Sequence, residues 1–384
     1  MIAFQNSYII TNRKAPTHTI FDIDPLPDGQ MWFYMANSPY DPEAADYKPQ
    51  PEQDPVPSTT APTAFLTALE ADIKLQTGVP QLTILIHGLA TLFDGAIHFF
   101  SLLGNGLQHY APPASPYEGL VIAFDWPSYG EVFSEAEYAS SQNFPPQKTS
   151  GTIRDNINGS TQAFLNLLTM IQTIRGTIPD LQVNLLCHSE GNYMLMLGMY
   201  ALNQAGQSTD VTQTLMLAAD INNGALQLLP AAGRGDAIAK NSSQVTVYYT
   251  TDDTVLSGSE IVFAKYHDSE YLGRLGLEGP ASYLTDALQP NVIGLDCSAV
   301  LNPQATQGIV PVHETMHTAY FYVPQVISDI AQTLNGVSAS SVTNRISGGQ
   351  EDGQGYVMQL DTSQPVMDVR MAAAQARSVR ASAT

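Results

Sequence analysis

The sequence predicts an α/β protein: a mostly parallel central sheet flanked by helices on both faces. Three observations predict it. Apolar runs without alternation recur along the chain, as in "QLTILIHG", "GLVIAFDWPS", "LQVNLLCHS", "QTLMLAADI", "SQVTVYYTTDD" and "NVIGLDCS". Strands covered on both faces read this way, because neither face meets water. Segments of helical spacing separate these runs, and that alternation implies parallel strands joined by right-handed helical crossovers. With 44% hydrophobic and only 13% charged residues over 384 positions, the chain has enough apolar surface for a large core.

Taken in order, "SYIITNR", "TIFDID" and "MWFYMAN" alternate and carry β-branched or aromatic residues, so they read as short strands. Residues 39–62 are rich in Pro, Asp and Glu and read as an irregular connector. "TAFLTALEADIKLQ" places Phe65, Leu66, Leu69, Ile73 and Leu75 at helical spacing. Between residues 152 and 178, Phe164, Leu167, Leu168, Ile171 and Ile174 share one side of a helix. A helix is expected from about Asn192 to Ala205, and "YVPQVISDIAQTL" is expected as the last one. From Gly336 the composition turns to Ser, Gly, Gln and Ala; "GYVMQLD" reads as one strand and the rest as a mobile tail. The expected organisation is therefore strands and connector over 1–62, a catalytic domain over 63–336 and a low-complexity tail over 337–384.

Charge and composition exclude several classes. A net charge of −21 disfavours nucleic acid and anionic membrane surfaces, which need clustered Lys and Arg. Two cysteines, Cys187 and Cys297, do not make a disulfide framework. The start "MIAFQNSYIITNRKAP" lacks a basic stretch followed by an apolar run, and no segment reaches the roughly 18 apolar residues of a membrane span. A cytoplasmic protein is the expectation, with export lacking a signal peptide as the alternative. No metal site is expected, since the histidines show neither H-E-x-x-H nor paired-Cys spacing. No glycine-rich phosphate or dinucleotide loop occurs either, so no cofactor is expected.

The chemistry centres on "LLCHSEGNYML". Ser189 falls where a buried strand gives way to a helix, with Gly191 two places on, the layout of a nucleophile elbow. Cys187 stands where such an elbow usually has its first glycine. A serine alcohol needs a base, normally a histidine oriented by a carboxylate. Downstream, "VTVYYTTDDTVL" offers Asp252 and Asp253 at a strand end, and "PVHETMHTAYF" offers His313 and His317 after the last strand. Asp220, after "LMLAA", is a further strand-end carboxylate, either an acid in a variant layout or a helix cap. His317 is preferred to His313 because it directly precedes the last helical segment. Two oxyanion donors are needed. The N–H of Glu190, after the nucleophile, and that of Leu89, after His87-Gly88 in "TILIHGLATLF", are the candidates. His87 and His188 flank the site and are expected to pack or hydrogen-bond there, as support together with Gly88 and Gly191. The stretch from Gly88 to Leu107 is apolar and is either a core helix or the lining of an acyl pocket.

In these pieces the chain resembles the α/β-hydrolase (esterase/lipase-like) superfamily. It is similar, more narrowly, to a bacterial α/β-hydrolase family catalogued as a domain of unknown function. "ILIHG", "FDWPSYG", "LLCHSEGNYML", "LMLAADI", "YYTTDDTVL" and "HTAYFYVPQVISDI" carry the resemblance, in order, from about Leu82 to Leu334. It implies the α/β-hydrolase fold, Ser189 as nucleophile, Asp253 as acid and His317 as base. The expected function is cofactor-free hydrolysis of a small carboxylic ester, with an apolar acyl group, through an acyl-enzyme. The same triad would serve an acyltransferase, amidase or thioesterase. A non-catalytic binding protein on the same fold is the competing class. The sequence does not specify the oligomeric state.

Overall fold

A computed structural model of the chain describes residues 7–14, 25–36, 56–89, 91–128, 153–221, 223–226, 234–263, 272–276, 289–311, 314–348 and 355–359. The strand expected at "TIFDID", most of the acidic connector and the end of the tail lie outside these residues. Along the chain come β1 (Ser7–Thr11), β2 (Trp32–Ala36), α1 (Thr63–Ile73), β3 (Gln81–Ile86), α2 (Phe93–Tyr110) and β4 (Leu120–Asp125). There follow α3 (Ile153–Thr177), β5 (Gln182–His188), α4 (Gly191–Gln204), β6 (Val211–Leu217), α5 (Asp236–Lys240) and β7 (Ser242–Tyr249). The last elements are α6 (Thr254–Phe263), α7 (Leu272–Leu275), β8 (Val292–Asp296), α8 (Pro324–Leu334), β9 (Arg345–Ser347) and β10 (Gly355–Met358).

The described strands form one ten-stranded sheet in the order β2-β1-β4-β3-β5-β6-β7-β8-β10-β9. It is parallel except at its margins, where β2 runs antiparallel to β1 and β9 antiparallel to β10. Side chains alternate between two cores, and that explains the unbroken apolar runs. Leu82, Ile84 and Ile86 of β3 face one core with Leu185 and Cys187 of β5, beneath α1, α3 and α4. Leu85 and Leu186 face the other, beneath α2 and α8. Each such side chain, withdrawn fully from water, stabilises the fold by about 1.5–3 kcal/mol before entropy is counted. The Met194, Met196 and Met199 cluster of α4 fills the first core. The helical part of the Gly88–Leu107 stretch is a core helix: Phe93, Ile97, Phe100, Leu103 and Leu107 of α2 are buried against the sheet and α8.

Two features position the site. First, the chain steps one way from β3 to β4, then returns across β3 to β5. Such a reversal opens a crevice at the carboxyl ends of the two strands. Second, the register levels those ends: Phe124, Ile86, Cys187, Met216, Val247 and Gly294 form one row across the sheet. Ser189 and the His87–Gly88 turn lie one or two residues beyond that row, on adjacent strands.

The residues after Gly336 hold more structure than their composition predicts. They add two strands, not one, because Arg345 of β9 is drawn inward. Its Nε donates to Asp329 Oδ2 of α8 at 2.7 Å and its Nη2 to Thr333 Oγ1 at 2.7 Å, while Tyr248 Oη donates to Asp329 Oδ1 at 2.7 Å. Among the described residues no helix is long and apolar enough to cross a membrane.

Candidate active site

Ser189 has φ +53°, a left-handed conformation that costs a non-glycine residue about 1–3 kcal/mol. The surroundings hold it there. Its N–H donates to Leu217 O at 3.0 Å, and its carbonyl accepts from Asn192 N at 3.0 Å and Asp220 N at 3.3 Å. The Asn192 side chain adds donations to Cys187 O at 3.2 Å and Ser189 O at 3.1 Å. Asn192 was not singled out from the sequence; the signal available was an amide three residues after the serine, within reach of the turn it closes.

The two glycines are needed by contact. A Cβ on Gly191 would lie 2.6 Å from His87 O, and one on Gly88 would lie 2.6 Å from Ser189 Cβ. The elbow and the loop after β3 therefore touch through bare backbone. Cys187 needs no such clearance: its side chain turns into the core under α4, where burial pushes the thiol pKa up.

The base loop meets the elbow from the other side. His317 Nδ1 lies 2.7 Å from Asp253 Oδ2, with both side chains buried. A carboxylate oxygen accepts, so Nδ1 carries the hydrogen and Nε2 keeps its lone pair. Asp253 Oδ1 in turn accepts from the N–H groups of Val255 at 3.1 Å and Leu256 at 3.0 Å, capping α6. One carboxylate thus orients the imidazole and starts a helix. Asp252 beside it is exposed, and its N–H goes to Thr250 Oγ1. His313 lies outside the described residues.

His188 links the two halves. Its Nε2 donates to the carbonyl of His317 at 2.7 Å, its ring lies 4.7 Å from the His317 ring, and Phe321 meets it edge-on at 5.2 Å. Burial, reinforced by the neighbouring His317, keeps the His188 pKa well below the usual imidazole value, so it stays neutral. For His317, burial alone would act downward. The charge and hydrogen bond of Asp253, with help from the Asp220 charge, outweigh burial and raise its pKa. Asp220 itself is buried, and its Oδ1 accepts from Ser259 Oγ of α6 at 3.0 Å.

Behind the loop after β3, His87 Nε2 lies 2.9 Å from Asp125 Oδ1 and its Nδ1 lies 2.9 Å from Gly88 O. Its ring stacks on Trp126 at 5.7 Å. Leu89 is partly buried against the α4-side core, and Glu190 is buried at the N-cap of α4. Among the described residues no group of three His, Cys, Asp or Glu is arranged to hold a metal ion.

The model of the family described as "Alpha/beta hydrolase of unknown function (DUF900)" matches residues 61–303. Three solved structures are similar at a distance. One is an esterase/lipase from an uncultured bacterium, with 9% identity, TM-score 0.31, and coverage of 67% of this chain and 77% of that one. Another is described as a putative cell surface hydrolase from Lactobacillus plantarum WCFS1, with 11% identity, TM-score 0.31, and coverage of 70% and 100%. The third is a cutinase-like protein from Cryptococcus sp., with 12% identity, TM-score 0.30, and coverage of 69% and 99%. No curated protein sequence matches the chain.

Proposed function

Since the chain belongs to this α/β-hydrolase family, matched over residues 61–303, we propose that it is a serine hydrolase that cleaves small carboxylic esters through an acyl-enzyme. The observation that carries the reading is the buried His317–Asp253 pair, 2.7 Å apart, joined through His188 to the adjoining serine, which is held at φ +53° on a strand-to-helix turn. Strain of that kind persists only where the surroundings enforce it, and it concentrates at functional positions.

In this reading Ser189 Oγ attacks the ester carbonyl carbon and its proton passes to His317 Nε2. Asp253 stabilises the imidazolium that forms. The N–H groups of Leu89 and Glu190 hold the oxyanion of the tetrahedral intermediate. The C–O bond to the alcohol then breaks, and the alcohol leaves with the proton from His317. Water attacks the acyl-enzyme by the same route and releases the acid. Ser189 serves as nucleophile, His317 as base and then acid, and Asp253 as orienting carboxylate.

A fluorophosphonate probe followed by peptide mass spectrometry tests the assignment. The expected result is a covalent adduct on Ser189, lost in Ser189→Ala, together with a fall in ester turnover of at least about 10³-fold in that folded variant. A folded wild-type chain that forms no adduct at Ser189, or a Ser189→Ala variant with full turnover, would overturn it. A panel of p-nitrophenyl esters of increasing acyl length, run with and without an added alcohol, reports chain-length preference and separates hydrolysis from acyl transfer.

A further inference from the structure

Residues 13 and 125, far apart in sequence, meet in a buried ion pair behind the loop that carries Leu89. Arg13 follows β1, and Asp125 ends β4, the strand that β1 pairs with. Their side chains are 3% and 0% exposed. Arg13 Nε donates to Asp125 Oδ2 at 2.7 Å and Nη2 donates to Asp125 Oδ1 at 2.8 Å, the two-pronged geometry that best secures a guanidinium on a carboxylate. Burial would raise the Asp125 pKa, but Arg13 and His87 more than offset it and hold the carboxyl well below its ordinary range.

The pair does not end in itself. Arg13 Nη2 also donates to Thr91 O at 2.7 Å. Asp125 Oδ1 also lies 2.9 Å from His87 Nε2. One ion pair therefore reaches both His87 and Thr91, on either side of Gly88 and Leu89. Further contacts fix the same two residues: Trp126 Nε1 donates to His87 O at 2.8 Å, and Ser128 Oγ accepts from Thr91 N at 3.0 Å. Between them, the contact between His87 Nδ1 and Gly88 O bears on the direction of one N–H. The C=O of Gly88 and the N–H of Leu89 belong to one planar trans peptide and point in opposite directions. With Gly88 O on the His87 side, 2.9 Å from Nδ1, the Leu89 N–H points away from that ring, whose place is set by Asp125 at Nε2.

We infer that Arg13 and Asp125 are positioning residues that set the Leu89 N–H through His87 and Thr91. The segment just after β1 that carries Arg13, outside the family-matched residues 61–303, is then part of the machinery of the reaction. The inference rests on the serine-hydrolase reading above and extends it to residues that touch no substrate.

The experiment compares wild type, Arg13→Gln, Arg13→Lys and Ser128→Ala in the full-length chain. Arg345→Gln is the control, since it breaks an equally buried ion pair on the far side of the sheet. Steady-state kinetics on a p-nitrophenyl ester and the rate of fluorophosphonate labelling are measured per folded molecule, counted by near-ultraviolet circular dichroism. Arg13→Gln should lose about 10- to 100-fold in kcat and in labelling rate with KM little changed, as expected when a preset donor drifts from its place. Arg13→Lys, which keeps the charge, should recover part of the rate. Arg345→Gln should lose stability and keep kcat. Should Arg13→Gln not fold, Ser128→Ala carries the test, because it removes one of the two side chains that hold Thr91 while leaving the ion pair intact; it should lose kcat in the same direction, by less. Variants of Arg13 and Ser128 with full kcat beside an active wild type would overturn the inference, as would equal kcat losses in Arg13→Gln and Arg345→Gln. A wild type that neither labels nor turns over any ester would instead sink the hydrolase reading beneath it.

Discussion

Asp253 has two tasks on two oxygens, and that makes a clean experiment possible at the scale of one residue. Oδ1 caps α6 and Oδ2 faces His317 Nδ1. Asparagine can keep the cap through its carbonyl oxygen, but its amide then donates to Nδ1 and forces the hydrogen onto Nε2, the wrong tautomer for a base. Asp253→Asn should therefore lose about 10³-fold or more in kcat while its melting temperature stays near wild type; Asp252→Asn should lose little of either. Reversed effects on kcat would transfer the acid role to Asp252. The pH dependence follows from the same pair. A base works only when neutral, and the Asp253 charge raises the His317 pKa despite burial. Ester kcat/KM should thus be low in acid and rise through one step above the ordinary imidazole value of about 6.5. In Asp253→Asn the residual activity should titrate at lower pH, because the stabilising charge is gone. A wild-type step below that value would contradict the pairing.

At the scale of elements, the junction between the β3 loop and the elbow is the tightest place in the site. A Cβ at residue 191 would meet His87 O at 2.6 Å and Ile86 O at 2.9 Å, both backbone atoms that cannot swing aside. Gly191→Ala should cost about 1–3 kcal/mol in urea unfolding and lower kcat by parting the two loops; an unchanged kcat would mean that their contact does not matter to turnover. The two strand ends that meet here were legible in the sequence, where unbroken apolar runs stop at His87-Gly88 and at His188-Ser189-Glu190-Gly191; their contact was not. The choice between Asp252 and Asp253 was not legible from the residues either: the two are neighbours, and only the turn after β7 decides which side chain faces inward. Nor was the Arg13–Asp125–His87 assembly. Nothing local in "TNRKAP" or "FDWPS" shows that one arginine is buried against one aspartate, because that depends on β1 lying beside β4 in the finished sheet. The reading of Gly88–Leu107 stayed divided for the opposite reason: an apolar helix looks the same whether it packs or lines a pocket, and here it packs.

At the scale of the molecule, each margin of the sheet is fastened by one buried arginine. At the β10–β9 margin it is Arg345, whose side chain is 0% exposed and lies against Asp329, Thr333 and Tyr248. Removing one member of a buried pair leaves the other charged and unmatched, which costs about 3–5 kcal/mol. Arg345→Gln should lower the unfolding free energy from denaturant titration by that measure; a loss below about 1 kcal/mol, the scale of a surface pair, would show that β9 is not fastened there. The β2–β1 margin has a consequence in time. Thr11 and Asp125, opposite one another across β1 and β4, are 114 residues apart in the chain. At cellular synthesis rates, β1 leaves the ribosome on the order of ten seconds before its parallel neighbour exists. During that interval β1 and β2 can form only a two-stranded hairpin, which is marginal in water and offers an open edge to any other chain. The growing polypeptide is most vulnerable to mispairing in this window, and conditions that slow elongation before residue 125 should cost more yield of folded protein than those that slow it afterwards.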